Sequence, residues 1–319
     1  MLIRDGNTHY PAEQQEWRFF KGALDIPPFF IVIDGSGEIT LDAIDWMSMQ
    51  GTPLIRLRWD GQFASIVTAG GQAASTECVL WQKSLREHPE KRLAFAIDLI
   101  RRKVENTTVT LESHVPRSRI WNRAYKNVSV RAEWLGKRPP KTLEELLGIE
   151  GSVANDYFRA WSGIPLKWKV AKRYPIPEDW QTYTSRAANR VGTRQNYRAT
   201  HPINAMLNYA YGVITARAHV QLIADGYDPA IGVLHDNRAR RGAYPPFALD
   251  HIEPLRPIAD RAILQIITSE TLTGADFSVQ DDGVCRLNPE LARRVAKLTT
   301  EISASSGSKV VTLSETKDG

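Results

Sequence analysis

The sequence predicts an α+β protein in which an N-terminal β-rich domain precedes a larger all-α domain. We place the β-rich domain at residues 1–85, the helical domain at 86–302 and a disordered tail at 303–319. Short apolar segments separated by turn residues dominate the first third, whereas apolar residues at steps of three and four dominate the remainder. The tail is rich in Ser, Gly and Lys, a composition typical of mobile termini.

The first third contains one predicted helix between predicted strands. Thr40 is positioned to cap a helix over Leu41–Gln50, and Gly51 is positioned to end it. The dipeptide Asp60-Gly61 is a strong hairpin signal between the last two strands. The predicted strands cover residues 29–33, 53–59 and 62–68.

The remainder reads as a series of helices. Apolar residues at helical spacing predict a helix over 91–105, and its basic residues, Lys103 among them, lie outside the apolar stripe. Thr142 and Glu145 form a capping box that opens the helix carrying Glu150. Further helices are predicted over 202–220, from Asp228 and Pro229, over 255–268 and over 288–302.

Charge is distributed unevenly along the chain. The net charge is +5, but residues 86–138 carry 13 Lys and Arg against 6 Asp and Glu. Residues 163–200 carry 8 against 2. This division predicts a basic working surface and an acidic remainder.

The sequence disfavours several classes of protein. Cys78 and Cys285 stand far apart without a CxxC or Cys/His cluster, so we expect reduced, buried thiols. No GxxxxGK[ST] or GxGxxG motif marks a phosphate-binding loop. The N-terminus lacks a signal-peptide core, and no run approaches the roughly 20 apolar residues of a membrane helix. We therefore expect a cytoplasmic protein that does not associate with a membrane.

Three polar positions stand out because they lie in segments that otherwise resemble core. Glu150 falls on the apolar stripe of its helix, His235 follows the segment AIGVL, and Asp250 and Glu253 lie three residues apart in ALDHIEPL. An unpaired buried carboxylate is costly, so each of these needs a partner or a cation. Two carboxylates and an imidazole at one point would form a divalent-metal site suited to phosphoryl transfer, and imidazole suits Mn2+ better than Mg2+.

Each of these residues also has an ordinary structural interpretation. Glu150 could pair with a structural arginine, and His235 could pack near a helix C-terminus. Asp250 and Glu253 are the acidic residues typical of a helix start. Two glycines beside Glu150 lower helix propensity and predict the close approach of another element: Gly148 and Gly151.

Four segments that contain or neighbour these residues occur in the same order in a known family. They are LGIEGSVA (147–154), NAMLNY (204–209), GYDPAIGVLH (226–235) and LDHIEPLRP (249–257). Each is weak alone, but four in this order are hard to obtain by chance. The chain therefore resembles CRISPR-associated protein one, the spacer-acquisition integrase, over most of its length.

The resemblance implies a β-rich domain followed by an all-α catalytic domain, and a metal-dependent DNA integrase and endonuclease. It implies Glu150, His235 and Glu253 as ligands of Mg2+ or Mn2+, with Asp250 as a supporting carboxylate. The reaction implied is attack by the 3′-hydroxyl of a captured DNA fragment on a phosphodiester of the repeat array. Two asparagines are implied to lie beside the metal site: Asn204 and Asn208.

The resemblance also implies partners. The substrates would be double-stranded and branched DNA, namely the prespacer and the CRISPR repeat. Homodimers would form through the β-rich domain. CRISPR-associated protein two would join two such dimers.

Basic residues suggest three groups that contact DNA. One group repeats every fourth residue, a second mixes with Trp168 and Tyr174 as phosphate contact with base stacking requires, and a third precedes Asp250. The third is richer in arginine than the family pattern. The aromatic residues could instead be core, and the third group a solvated loop. The candidate residues are Arg186, Arg190, Arg194 and Arg198; Lys172 and Arg173; and Arg238, Arg240 and Arg241.

Two other functions stay open at this point. One is a mobile-element integrase of the same superfamily, against which we weigh the short tail without a recognisable added DNA-binding domain. The other is a catalytically silent DNA-binding scaffold, against which we weigh the presence of Glu150, His235 and Glu253.

Overall fold

The computed structural model describes residues 1–4, 16–33, 37–58, 63–68, 74–186, 198–235 and 245–305. Several sequence predictions fall outside these ranges, so their structure is not considered further. They are the Asp60-Gly61 turn, most of the tail, and the arginines Arg190, Arg194, Arg238, Arg240 and Arg241.

Among its described residues, the N-terminal part has two small sheets and one helix. An antiparallel pair joins the first two strands, and a second sheet has the order β3-β4-β5, with β3 parallel and β5 antiparallel to β4. The elements are β1 (Leu2–Arg4), β2 (Glu16–Arg18), β3 (Phe30–Ile33), α1 (Leu41–Gln50), β4 (Leu54–Leu57) and β5 (Phe63–Val67).

The predicted ends of α1 are confirmed. The Thr40 hydroxyl accepts a hydrogen bond from the amide of Ala43, and Gly51 ends the helix with φ of 65°, a conformation that glycine adopts readily. This helix makes the crossover that parallel strands require between β3 and β4. One face of β4 then packs against the helical part, since Ile55 and Leu57 are buried with Val213 and Ala216.

Helices dominate the rest of the described chain. Helix α3 is longer than the predicted 91–105, and two helices, α2 and α4, have no predicted counterpart. The remaining helices are α2 (Thr76–Glu87), α3 (Pro89–His114), α4 (Arg119–Lys137), α5 (Leu143–Ala160), α6 (Pro202–Ala224), α7 (Pro246–Ile252), α8 (Arg256–Ser269) and α9 (Pro289–Ser305). A short antiparallel hairpin, β6 (Phe277–Val279) with β7 (Cys285–Leu287), lies between α8 and α9.

Helix α6 is the centre of the core. It packs against α7, α8 and α9 and is buried on nearly every side, which explains its almost uniformly apolar sequence. The predicted α+β class is confirmed, with strands concentrated in the N-terminal part. The boundary at residue 85 stays a prediction, because α2 crosses it and packs against α3. Helix α9 continues to Ser305, so the first three residues of the predicted tail are helical.

One predicted helix is wrong. Residues 229–230 form a turn, and the Asp228 carboxylate accepts a hydrogen bond from the amide of Ala230 without a helix following it. Asp–Pro favours a turn as readily as a helix start, and the contacts described below hold this segment open. None of the helices in the described ranges is long and apolar enough to cross a membrane.

Candidate active site

The segment that carries His235 is held by side chains from three helices. The buried amide of Gln82 donates to the carbonyls of Asp228 and Ile231, at 2.8 and 2.9 Å. Arg92 Nε donates to the carbonyl of Val233 at 2.7 Å. The chain packs too closely here for any side chain at residue 232, since a Cβ on that glycine would lie 2.5 Å from the carbonyl oxygen of His235. The backbone at His235 is therefore fixed before any ligand binds.

Asp250 anchors this segment from the other side. It is fully buried on α7, and its Oδ2 accepts the amides of Val233 and Leu234 at 2.5 and 3.1 Å. Its Oδ1 accepts the amide and the ring Nδ1 of His235, at 2.8 and 2.7 Å. In the neutral tautomer whose Nδ1–H donates to this carboxylate, the lone pair of the ring is on Nε2. Asp250 thus orients His235, and both of its oxygens are already bonded.

Helix α3 holds the turn between α7 and α8 with three polar residues on successive turns. Lys103 Nζ lies 2.6 Å from Glu253 Oε2, Asn106 donates to the carbonyl of Pro254 at 2.9 Å, and Thr110 donates to that of Pro257 at 2.9 Å. Residues three and four apart share one helix face, so this face is built to bind that turn. Glu253 is positioned by it at the end of α7.

Glu253 lies between the two other predicted ligands: it shares the Lys103 ammonium with Glu150, and its second oxygen faces His235. The Lys103 ammonium binds Glu150 Oε1 as well as Glu253 Oε2. His235 Nε2 lies 3.7 Å from Glu253 Oε1. In the described part of the chain no three His, Cys, Asp or Glu side chains are already grouped as metal ligands, and here a lysine stands between the two glutamates. The segments that carry Glu150 and Glu253 thus come together around the side-chain ammonium of Lys103.

Two basic side chains hold Glu253 ionised. Burial alone would raise the pKa of Glu253, but Arg256, 3.1 Å from its Oε1, and Lys103 together lower it to about 2. Burial likewise opposes the charge on Lys103, and Glu253 and Glu150 outweigh it, so the pKa of Lys103 lies above its ordinary value. The site is therefore a cluster of ion pairs, in which Lys103 pairs with both glutamates and Arg256 pairs with Glu253.

A second polar layer lies behind Arg256. The guanidinium lies 5.1 Å from the ring of Tyr211, whose hydroxyl donates to Asp260 Oδ1 at 2.7 Å. Tyr157, two turns after Glu150 on α5, donates to Asp260 Oδ2 at 2.9 Å. Asp260 therefore joins α5 to α8 close to the point where Glu150 and Glu253 meet, and it fixes the Tyr211 ring beside Arg256.

This layer gives a pH prediction. Burial raises the pKa of Asp260 from 3.8 to about 6, although the two tyrosine hydroxyls oppose the shift. Between these values the folded protein keeps a proton that the unfolded chain has lost, so stability falls as the pH rises from about 4 to 6. We expect the wild type to lose about 3 kcal/mol across this window relative to Asp260→Asn. Denaturant unfolding of both proteins at pH 4, 5, 6 and 7 measures it, and a pH-independent difference contradicts it.

Some sequence interpretations need correction. The prediction that another element approaches Gly148 and Gly151 is wrong, because a Cβ at either residue would have nothing within 4 Å. Both are exposed on α5. His251, which lies between Asp250 and Glu253 in the sequence, is buried and packs its ring against Phe247.

The two asparagines of α6 bind residues 183–186. Asn204 donates to the carbonyl of Ser185 at 2.9 Å and accepts from the Tyr183 hydroxyl at 3.2 Å. Asn208 accepts from Arg186 at 2.6 Å. The Arg186 guanidinium is half-buried over the ring of Tyr211, so the structure gives it a position inside the network. DNA contact by Arg186 stays a prediction.

In the second group, the aromatic residue Trp168 and the basic residues Lys172 and Arg173 have different surroundings. Trp168 packs against Trp180 and Phe277, with ring centroids 6.0 Å apart in each case, so the core interpretation holds for this ring. Lys172 and Arg173 are exposed and free of the core. Their contact with DNA stays a prediction, as does that of the arginines outside the described ranges.

Sequence reasoning missed the cations of the site. Lys103 was assigned to the basic surface of its helix, and Arg256 was seen only as part of the LDHIEPLRP segment. A usable signal was present, because Lys103, Asn106 and Thr110 repeat at steps of three and four on a helix whose other inward positions, apart from Thr107, are apolar. Such a polar row predicts a polar partner element.

Comparison with known proteins bears on the identity of this site. The chain is 28% identical over 270 residues to a Cas4/Cas1 fusion protein of Rhodospirillum rubrum, which covers 82% of this chain and 42% of the fusion. It is 28% identical over 157 residues to an endonuclease Cas1 of Methanospirillum hungatei, covering 49% of this chain and 40% of that protein. The chain thus spans less than half the length of these relatives.

Solved structures share the fold. A casposase bound to integration product matches with a TM-score of 0.68 and 23% identity, over 94% of this chain and 77% of that one. A Cas6-RT-Cas1–Cas2 complex matches with 0.65 and 20% identity, over 89% of this chain and 29% of that one. The family model for CRISPR associated protein Cas1 matches residues 30–301, and this chain therefore belongs to the Cas1 family.

Proposed function

We propose that the chain is a divalent-metal-dependent DNA integrase and endonuclease that inserts captured DNA fragments into a CRISPR array. One observation carries the proposal. Glu150 on α5 and Glu253 at the C-terminal end of α7 both contact the Lys103 ammonium, and His235 Nε2 lies 3.7 Å from Glu253 Oε1. The chain's membership of the Cas1 family, in which relatives are named endonucleases, points to the same activity.

The residues present fit a divalent ion. Glu150, His235 and Glu253 would hold it, since carboxylate oxygens with one imidazole nitrogen suit Mn2+ and, less well, Mg2+. The position already attracts a cation, namely the Lys103 ammonium. When bound, the ion would act as a Lewis acid toward a phosphodiester and offset the charge that develops in the transition state.

The remaining groups orient and admit the substrate. Asp250 keeps the Nε2 of His235 turned toward Glu253, and Arg256 keeps Glu253 ionised. The side chains of Glu150 and His235 are 23% and 35% exposed, so both can be reached by a DNA strand. The 3′-hydroxyl of the DNA fragment is the nucleophile, its bond to phosphorus forms as the bond to the leaving oxygen breaks, and no protein nucleophile takes part.

Strand transfer tests this function directly. A labelled prespacer with free 3′-hydroxyl ends is incubated with repeat-containing DNA and Mn2+ or Mg2+, with and without the companion protein. We expect labelled DNA to become joined to the repeat. Binding of the same DNA without any joined product under all of these conditions favours the silent scaffold.

A mobile-element integrase is the second candidate. The similarity in fold to the casposase, at 94% coverage of this chain, is the observation that favours it. The same assay distinguishes the two, because a spacer integrase prefers a repeat-containing target. Equal joining to repeat DNA and to a target without repeats favours the mobile-element reading.

Partners are part of the proposal. We infer a homodimer formed through the N-terminal part, where Phe20, Leu24, Leu41 and Met49 are exposed apolar side chains. The similarity to the Cas1 portion of a complex that includes Cas2 supports a Cas2-type companion. Light scattering of the chain alone gives its mass, and a monomer contradicts the dimer.

Salt dependence tests the basic residues. Each phosphate contact contributes about 0.9 to the slope of log K against log salt, so Lys172→Ala with Arg173→Ala should lower the slope by about 2. Arg190→Ala with Arg194→Ala should act in the same way. Lys297→Ala, an exposed change on α9, is the control. An unchanged slope means that the altered pair does not contact phosphate.

A further inference from the structure

Lys103 sits where the proposed ion would bind. It is on α3, its side chain is only 15% exposed, and its ammonium contacts one oxygen of Glu150 and one oxygen of Glu253. Two carboxylates from distant parts of the chain therefore pair with this one ammonium. An internal cation therefore uses the same oxygens that would serve as ligands.

An ammonium and a divalent ion cannot share these oxygens. Two cations within contact distance of one carboxylate oxygen repel strongly in a partly buried site. Arg256 already contacts the other oxygen of Glu253, so Glu253 has no free oxygen to which the Lys103 ammonium could move. Binding of the divalent ion therefore requires the ammonium to leave.

The displaced ammonium needs a new partner. A mostly buried cation without an anion is unfavourable, and the two described carboxylates that satisfy it would be occupied by the divalent ion. The DNA phosphate that enters during the proposed reaction is an anion of the right kind. A lysine suits this exchange because its flexible stem lets a compact charge move between partners.

Resting on the function proposed above, we propose that Lys103 is an internal counter-cation that competes with the divalent ion for Glu150 and Glu253. It transfers to a DNA phosphate when the ion binds. Binding of the ion and binding of DNA then favour each other. The ion frees the Lys103 ammonium to bind a phosphate, and the phosphate supplies the anion that the displaced ammonium would otherwise lack. In the absence of DNA, Lys103 keeps the affinity for the ion low.

Mn2+ binding to the full chain, measured by titration calorimetry, tests the proposal. Without DNA, we expect Lys103→Met to bind Mn2+ about tenfold more tightly than the wild type, within the usual range for coupled sites. Lys103→Arg keeps the charge and should bind as weakly as the wild type. Lys91→Met, an exposed change on the same helix, is the matched control and should not alter the affinity.

A second titration includes a branched DNA oligonucleotide. We expect this DNA to tighten Mn2+ binding by the wild type and by Lys91→Met, and to do so much less for Lys103→Met. Equal Mn2+ affinity of Lys103→Met and the wild type, without DNA, would overturn the proposal. If DNA tightens Mn2+ binding equally in Lys103→Met and in the wild type, the proposed transfer of the ammonium to a phosphate would be overturned.

Glu150→Gln separates this inference from the proposed function. If Glu150→Gln binds Mn2+ as tightly as the wild type, the metal site itself is wrong. If Glu150→Gln loses binding while Lys103→Met is unchanged, only the role of Lys103 is wrong. Lys103→Met also leaves two carboxylates facing each other, so its melting temperature should be lower without Mn2+ and rise further with it. Should it fail to fold without the ion, Lys103→Gln gives the same comparison.

Discussion

Replacing Glu150 with alanine is expected to lower strand transfer in Mn2+ by more than about a hundredfold, the scale expected when a metal site loses a supporting group or a ligand. The Glu150 side chain is 23% exposed, so its replacement would remove the proposed ligand without opening the core. Duplex binding should change little, because phosphate contact by basic residues supplies most of that affinity.

The measurement compares the initial rate of joined product with the dissociation constant for the same DNA. Glu144→Ala, an exposed change of the same kind on α5, is the control and should keep the wild-type rate. A wild-type rate for Glu150→Ala would remove Glu150 from the reaction. A parallel loss of DNA binding would mean that the residue supports the DNA-binding surface instead.

Replacing Asp250 with alanine is expected to lower both stability and ion affinity. Its carboxylate accepts three backbone amides and the ring of His235, and a buried donor left without a partner costs about 1–3 kcal/mol. The segment can relax after the substitution, so these costs do not add in full. We expect the free energy of unfolding to fall by about 3–5 kcal/mol, as it does when one partner of a buried charged contact is removed. Mn2+ affinity should fall about 10–100-fold, since the imidazole loses the group that orients it.

Denaturant unfolding and Mn2+ titration measure the two effects. His235→Ala is the matched comparison. It removes the proposed imidazole ligand, which is 35% exposed, and leaves the three hydrogen bonds from backbone amides to Asp250 in place. It should lose ion affinity with a much smaller loss of stability. If both variants are equally stable, Asp250 does not anchor the 233–235 segment.

Local features of the fold were predictable from the sequence. The cap at Thr40, the end at Gly51 and the cap at Thr142 depend on neighbouring residues, and each is seen in the structure. Helix α4 was also readable, since Trp121, Ala124, Val128 and Leu135 follow a helical stripe. The turn after Asp228 was not, because the amide of Gln82, 146 residues away in the chain, holds it.

The site was predictable only in part. The resemblance of their segments to a known family implied that Glu150, His235 and Glu253 lie together, but it gave no partner for the two glutamates. Lys103 lies 47 residues before Glu150 and 150 before Glu253, and the polar row on its helix predicts a polar partner element without saying which element it is. A lysine beside an apolar stripe looks like a surface residue until the facing elements are known.

Diffraction from crystals grown with Mn2+, recorded at the manganese absorption edge, tests the central claim most directly. The account predicts an anomalous peak bound by Glu150, His235 Nε2 and Glu253, with the Lys103 ammonium moved away from both glutamates. A manganese peak bound by other residues, with Lys103 still between the glutamates, would contradict it.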